Sequence, residues 1–207
     1  MNTTSHTVPR IAIQAVGLGL LLMALFTLMW TGIAQGGLQG RDHYITLMIF
    51  AALCVIFVVN GIKIFKIAGS FPKFTTMEDQ IQGKTWRKWY GLIFGIEGTL
   101  IPIVTLVLQF TGLAKFVLPS IALIVGLHFY PMAKIFNRKI DYFLASWTCL
   151  VAIVSIFMIN NGKQEAFILG FLGIGVALAT AAYGLYILFT GRLFISRQLE
   201  ILNSNKG

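Results

Sequence analysis

Two ionisable side chains, Glu97 and His128, lie deep inside long apolar segments of this 207-residue sequence. Glu97 comes nine residues after Lys88, and His128 comes six residues before Lys134. At a helical rise of about 1.5 Å per residue, these offsets place the two groups roughly 13 Å and 9 Å from the nearest basic residues. An isolated carboxylate in hydrocarbon is costly, so it has to be protonated, paired or in contact with water. We therefore expect Glu97 and His128 to pair, at similar depth on consecutive antiparallel helices.

Such a pair has two interpretations. A carboxyl group in contact with an imidazole can pass a proton, which is typical of transporters. The same contact can instead be a structural clasp between two helices, and the carboxyl group can also simply be neutral. Three further polar side chains are candidates for the same substrate or proton pathway: Asn60, Tyr130 and Tyr186. For the tyrosines the alternative role is interfacial anchoring or hydrogen bonding between helices.

The sequence around the pair also predicts an irregular backbone. Pro102 and Pro131 cannot donate a backbone hydrogen bond, so each is expected to disturb its helix. Gly95 and Gly98 flank Glu97, which predicts the close approach of another helix. Broken helices at membrane depth are found where they line a cavity or are buried by protein.

The composition excludes an ordinary soluble fold. The chain is 57% hydrophobic and 11% charged, whereas soluble domains carry about 25% charged residues. A soluble fold of this size could not hide so much apolar surface. We therefore predict a single transmembrane domain over residues 1–207. The two cysteines, Cys54 and Cys149, lie within apolar runs and do not indicate a disulfide or a metal site.

Apolar runs long enough to cross a bilayer recur six times along the chain. The predicted spans are residues 11–34, 44–65, 89–112, 116–136, 142–159 and 166–194. The connections are mostly short, so the predicted fold is all-α, with six transmembrane helices in three hairpins. In the longest polar connection, residues 68–88, Thr75 precedes Glu78 by three positions, which predicts a short surface helix.

Basic residues are distributed unequally between the two sides of this arrangement. One side holds 13 of the 16 Lys and Arg residues, and the other holds Arg41, Lys115 and Lys163. An excess of Lys and Arg marks the cytoplasmic side, so both termini are predicted to be cytoplasmic. The 13 residues are Arg10, Lys63, Lys66, Lys73, Lys84, Arg87, Lys88, Lys134, Arg138, Lys139, Arg192, Arg197 and Lys206.

The sixth span carries small residues at four-residue spacing, at Gly173, Ala177 and Ala181. This pattern is typical of a helix face that packs closely against another helix, within one chain or between protomers. The pattern favours packing within the chain, with a homo-oligomer as the alternative.

Motifs of known enzymes are not found. There is no Walker loop, no H-E-x-x-H and no G-x-S-x-G, so we expect that the protein is not an enzyme. Besides His128 the chain has His6 and His43, both outside the spans, which is too few for a metal site. No basic surface interleaved with aromatic residues indicates a nucleic-acid partner. We therefore expect no metal, no other cofactor and no nucleic acid.

Residues 126–133 read Gly-Leu-His-Phe-Tyr-Pro-Met-Ala. This stretch resembles a G-x-H-F-x-P-x-A signature of small bacterial integral membrane proteins with about six helices. The match covers eight residues and one span, and the rest of the chain is similar only in its hydropathy. The resemblance implies a bacterial membrane protein without implying an activity, and it favours a role for His128 and Pro131. The predicted location is the bacterial inner (cell) membrane.

Three functions fit these patterns. The first is a small transporter, channel or exporter for an ion or small molecule, with a site between spans two, three, four and six. The second is a non-catalytic membrane subunit, of a substrate-binding or immunity type, that packs against a membrane partner. The third, an enzyme using Glu97 and His128 on a lipid, is the least favoured, because polar residues are few. A water-filled cavity reaching Glu97 would favour transport, and a dry clasp would favour the subunit.

Overall fold

The structure is a computed structural model that describes residues 8–73 and 77–204. His6, Thr75 and Lys206 lie outside these ranges. The described parts contain no strand, and six long helices are joined by turns. The helices are α1 (Arg10–Leu38), α2 (Ile45–Ala68), α3 (Met77–Phe110), α4 (Val117–Phe136), α5 (Lys139–Asn160) and α6 (Glu165–Ser204), with a 3₁₀ turn at Ala114–Phe116 before α4. All six are long and apolar enough to cross a membrane. The predicted all-α fold with six helices that can span a membrane is therefore confirmed.

Two helices are longer than the apolar runs predict. α3 has 34 residues and already begins at Met77, so the segment predicted as a separate surface helix is continuous with the third span. α6 has 40 residues and ends at Ser204. Both extensions contain strong helix formers such as Glu, Gln and Arg and lack proline, so the helix continues through them. At about 1.5 Å per residue, α6 is about 60 Å long, roughly twice the thickness of the hydrocarbon core.

α1 packs against both α2 and α6. The contact with α6 is very close, because a Cβ atom added at Gly37 would lie 2.1 Å from the backbone nitrogen of Gly170. Nearer the middle of α1, the buried hydroxyl of Thr27 donates a hydrogen bond of 2.9 Å to Thr180 Oγ1 on α6. The first and last helices of the chain are therefore joined by direct backbone packing and by a buried polar contact.

The predicted small-residue face of α6 lies in this interior. A Cβ atom added at Gly173 would lie 2.4 Å from the backbone nitrogen of Ala34 on α1. Ala177 and Ala181 are buried as well. This face is therefore covered within the chain and is not free for packing between protomers.

The remaining helices pack one on the next, in the order α6, α5, α4 and α3. α4 and α5 approach closely at Gly126, where an added Cβ atom would lie 2.7 Å from the sulfur of Cys149. α5 packs on α6, and α3 packs chiefly on α4. On α3, Ile93 is buried, whereas Leu92, Leu100 and many other apolar side chains are exposed. α3 is thus a peripheral helix at one edge of the bundle.

The predicted broken helices are not found at the two prolines. Pro102 and Pro131 lie inside helices that continue on both sides of them, because a long helix can tolerate the one hydrogen bond that a proline removes. The expected approach of a helix to Gly95 and Gly98 was wrong. Within the described part of the chain, a Cβ atom added at either glycine would meet nothing within 4 Å. These glycines lie on a face of α3 that is not in contact with α4, the helix on which α3 chiefly packs.

Candidate functional site

Glu97 of α3 and His128 of α4 meet where these two helices pack together. The distance between Glu97 Oε2 and His128 Nδ1 is 3.3 Å, and the two side chains are only 12% and 10% exposed. Tyr90, Ile93 and Glu97 recur at a spacing of three or four residues, so they share the face of α3 that lies against α4. The predicted proximity of Glu97 and His128 is confirmed.

The contact is within hydrogen-bonding distance but is not aligned as a hydrogen bond. Among the residues that the structure describes, neither Glu97 Oε2 nor His128 Nδ1 has another hydrogen-bond partner, and both atoms are inaccessible to solvent. A buried polar atom without a partner is costly, so each group is the natural partner of the other. A small rotation of the carboxyl group would align a hydrogen bond through which a proton can pass.

Aromatic rings surround the imidazole. The ring of Phe129 stacks on His128 at a centroid distance of 4.2 Å, and the ring of Phe94 on α3 lies 5.6 Å away. These rings give the pair apolar surroundings. In such surroundings the electrostatic interaction between a carboxyl group and an imidazole is stronger than in water.

The predicted pathway tyrosines do not join the pair. The hydroxyl of Tyr130 lies 3.0 Å from Ser146 Oγ, which links α4 to α5. The ring of Tyr186 stacks on Tyr183 of the same helix at 6.3 Å, and the side chain is exposed. Tyr130 therefore makes a hydrogen bond between helices, which is one of its alternative roles, whereas Tyr186 packs on its own helix.

Asn60 belongs to a different polar contact, between α2 and α6. Arg192 Nη2 donates a hydrogen bond of 2.5 Å to Asn60 Oδ1, and Asn60 Nδ2 donates one of 2.7 Å to the carbonyl of Ile56. α2 packs on α1 and α6. Of the five predicted pathway residues, the structure brings Glu97 and His128 into contact and places the other three elsewhere.

Sequence reasoning missed a second polar cluster, at the start of α5. Arg138 Nε donates a hydrogen bond of 3.0 Å to Asp141 Oδ2, and Asp141 is fully buried. The guanidinium group lies 5.1 Å from the ring centre of Phe136 and 6.0 Å from that of Tyr183. Arg138 was interpreted only as a topology signal. The available clue was an acidic residue three positions after an arginine, in the first turn of a helix, where a negative charge is favourable.

A shallow apolar depression of about 270 Å³ lies between α5 and α6. Its walls include Trp147, Phe171 and Leu178, and Trp147 Nε1 donates a hydrogen bond of 2.8 Å to the carbonyl of Gly175. Neither Glu97 nor His128 lines this depression. It suits a hydrocarbon group rather than an ion.

The G-x-H-F-x-P-x-A resemblance stays a prediction. No family model matches this sequence, and comparisons with curated proteins and with solved structures found no significant similarity.

Proposed function

We propose that this protein is a small proton-linked transporter or channel-like protein of a bacterial cell membrane. Glu97 and His128 carry the proton, and the substrate is an ion or a small molecule. The observation that carries the proposal is the 3.3 Å contact between Glu97 Oε2 and His128 Nδ1 within membrane-spanning helices. Ionisable groups at this depth are expensive, and they are typical of ion and proton pathways.

The proposed topology has three hairpins with both termini in the cytoplasm. Two contacts support it. The backbone nitrogen of Val8 donates to Gln198 Oε1 at 3.2 Å, and that of Arg10 donates to the carbonyl of Pro72 at 2.7 Å. The start of α1, the connection after α2 and the end of α6 therefore lie at one end of the bundle. This is the end that carries most of the basic residues, which favours the cytoplasm.

The position of the pair suggests how proton binding can be coupled to movement. α3 packs chiefly on α4, so a small displacement of α3 would separate Glu97 from His128. Adding or removing a proton changes the charge of the pair and thus its preference for the closed contact. Proton flux into liposomes that contain the wild-type protein or a neutralised variant tests this proposal.

The second candidate is a non-catalytic membrane subunit or homo-oligomer, acting through a helix-packing partner. It is favoured by the dry surroundings of the Glu97–His128 contact, whose two facing atoms are inaccessible to solvent as in a structural clasp. It is also favoured by the apolar side chains that α3 exposes, including Leu106 at 52%. A partner helix can cover this face as well as lipid can. Cysteine cross-linking tests it: Leu106→Cys would give a disulfide-linked dimer in membranes, whereas Leu178→Cys, at a similarly exposed site on α6, would not.

A further inference from the structure

Three basic side chains lie on one face of α3 near its start. Lys84, Arg87 and Lys88 are three or four residues apart, so they share a face of the helix, and all three are exposed. Among the described residues, no carboxylate forms an ion pair with any of them. By contrast, Arg10 at the same end of the bundle donates to the carbonyl of Gly69. The three cations of α3 can therefore bind an anion from outside the chain.

This basic face lies at the level of lipid headgroups. Phe110, the last residue of α3, comes 22 residues after Lys88. That separation is about 33 Å along the helix, close to the roughly 30 Å thickness of the hydrocarbon core. Trp86 and Trp89 lie at the same level and are 44% and 41% exposed. Exposed tryptophans are typical of the boundary between hydrocarbon and headgroups, so the nearest anions are the phosphates of lipids.

Towards the middle of the membrane, the same face of α3 continues as glycine. Gly91, Gly95 and Gly98 follow Arg87 at spacings of three or four residues, and all three are exposed. Within the part of the chain that the structure describes, a Cβ atom added at any of them would meet nothing within 4 Å. The helix surface therefore lacks side chains on this face for about 10 Å. A hydrocarbon chain can lie directly against the backbone there.

We propose that this basic–glycine face of α3 binds an anionic phospholipid. The cations hold the lipid phosphate, for which the planar guanidinium group of Arg87 can supply two parallel hydrogen bonds. One acyl chain lies along the glycines. A zwitterionic lipid carries its own cation, so it binds this face more weakly. The proposed lipid site does not depend on proton transport. The face consists of Lys84, Arg87, Lys88, Gly91, Gly95 and Gly98.

Thermal unfolding of the purified protein in mild detergent tests this proposal, because a ligand that binds the folded state raises the melting temperature. Dioleoyl phosphatidylglycerol should raise it at a lower concentration than dioleoyl phosphatidylcholine. Glycerol 3-phosphate, which has the phosphate without the acyl chains, should leave it unchanged. Arg87→Gln combined with Lys88→Gln should weaken the binding of phosphatidylglycerol on the order of tenfold, because two charges near the headgroup are lost.

The matched control for charge is Lys63→Gln combined with Lys66→Gln. It removes two exposed lysines from α2 at the same end of the bundle and should bind phosphatidylglycerol like the wild type. Gly95→Leu tests the position of the acyl chain. It fills the open surface without meeting other parts of the chain, and binding should weaken several-fold. Gly32→Leu, at an equally open glycine of α1, should leave binding unchanged.

A response to phosphatidylcholine equal to that to phosphatidylglycerol would overturn the proposal, and so would stabilisation by glycerol 3-phosphate alone. Equal losses in the α2 control would show that the charge of the whole end, and not this face, attracts the lipid. Unchanged binding in Gly95→Leu would contradict the position of the acyl chain. A dimer that forms without added lipid and is lost in Gly95→Leu would assign the face to a second copy of the chain.

Discussion

Glu97 Oε2 and His128 Nδ1 lie 3.3 Å apart, on two helices of which one, α3, is at the edge of the bundle. The pair is nearly inaccessible to solvent, although most of α3 around it is exposed. Its isolation from other polar side chains makes each group dependent on the other. Its peripheral position means that a modest movement of α3 is enough to break the contact.

Because Glu97 and His128 depend on each other for a polar contact, we expect the losses of stability in their single variants not to add up in the double variant. Glu97→Gln and His128→Gln should each lower the melting temperature in detergent, because each leaves a buried polar partner without its contact. In the double variant the loss should be smaller than the sum, by about 0.5–3 kcal/mol in the free energy of unfolding. As a control, Tyr130→Phe affects the contact with Ser146, so combining it with Glu97→Gln should give additive losses. Additivity in the Glu97–His128 cycle would show that the two groups do not interact.

Two adjacent glycines of α1 should respond oppositely to the same substitution. Gly37→Ala would drive a methyl group into the backbone of α6 at Gly170, and we expect a loss of about 1–3 kcal/mol. At Gly36 an added Cβ atom meets nothing within 4 Å, so Gly36→Ala should be neutral or stabilise the helix by up to about 1 kcal/mol. Thermal unfolding of the two variants measures the difference. Equal melting temperatures would mean that α1 and α6 are not in close contact at this point.

The turn between α1 and α2 should weaken at acid pH. Hydrogen bonds from Thr46 are the main reason that the pKa of Asp42 lies below its ordinary value of 3.8. A carboxyl group whose pKa is lowered in the folded state stabilises the fold at pH values above its ordinary pKa. This stabilisation is lost as the pH falls through the folded-state pKa. Asp42→Asn should therefore melt below the wild type at neutral pH, and the difference should shrink below about pH 3.8. A difference that does not change with pH would contradict this role of the carboxylate.

The proposed orientation of the helices in the membrane can be tested by labelling single cysteines with a membrane-impermeant reagent. Lys163→Cys, in the exposed turn between α5 and α6, should be labelled from outside intact cells. Lys84→Cys, on the exposed start of α3, should be labelled only after the membrane is opened. The native Cys54 and Cys149 are buried and should stay unreactive. The reverse pattern would invert the topology.

The positions of the six spans could be predicted from the sequence, because each is a continuous apolar run. Which helices pack against one another could not be predicted in the same way. The pairing of Gly37 with Gly170 joins helices at opposite ends of the chain, and no local pattern encodes such a contact. The contact between Glu97 and His128 was an exception. Leaving either ionisable group unpaired in hydrocarbon is costly, and the two groups lie at similar depth, so their pairing could be predicted. The pairing of Arg138 with Asp141 was missed because both residues border a turn, which local reasoning assigns to solvent. The position of the Arg138 guanidinium group over the ring of Tyr183 on α6 depends on the tertiary fold.

The most direct test of the central claim is proton flux through the purified protein in liposomes that contain a pH-sensitive dye. With an imposed pH gradient, we expect the wild type to dissipate the gradient faster than protein-free liposomes do. Glu97→Gln and His128→Gln should each fall to the protein-free rate while inserting normally, and the turn variant Lys163→Cys should match the wild type. Flux in both neutralised variants equal to that of the wild type, or no flux through the wild type, would contradict the role of this pair in proton transport.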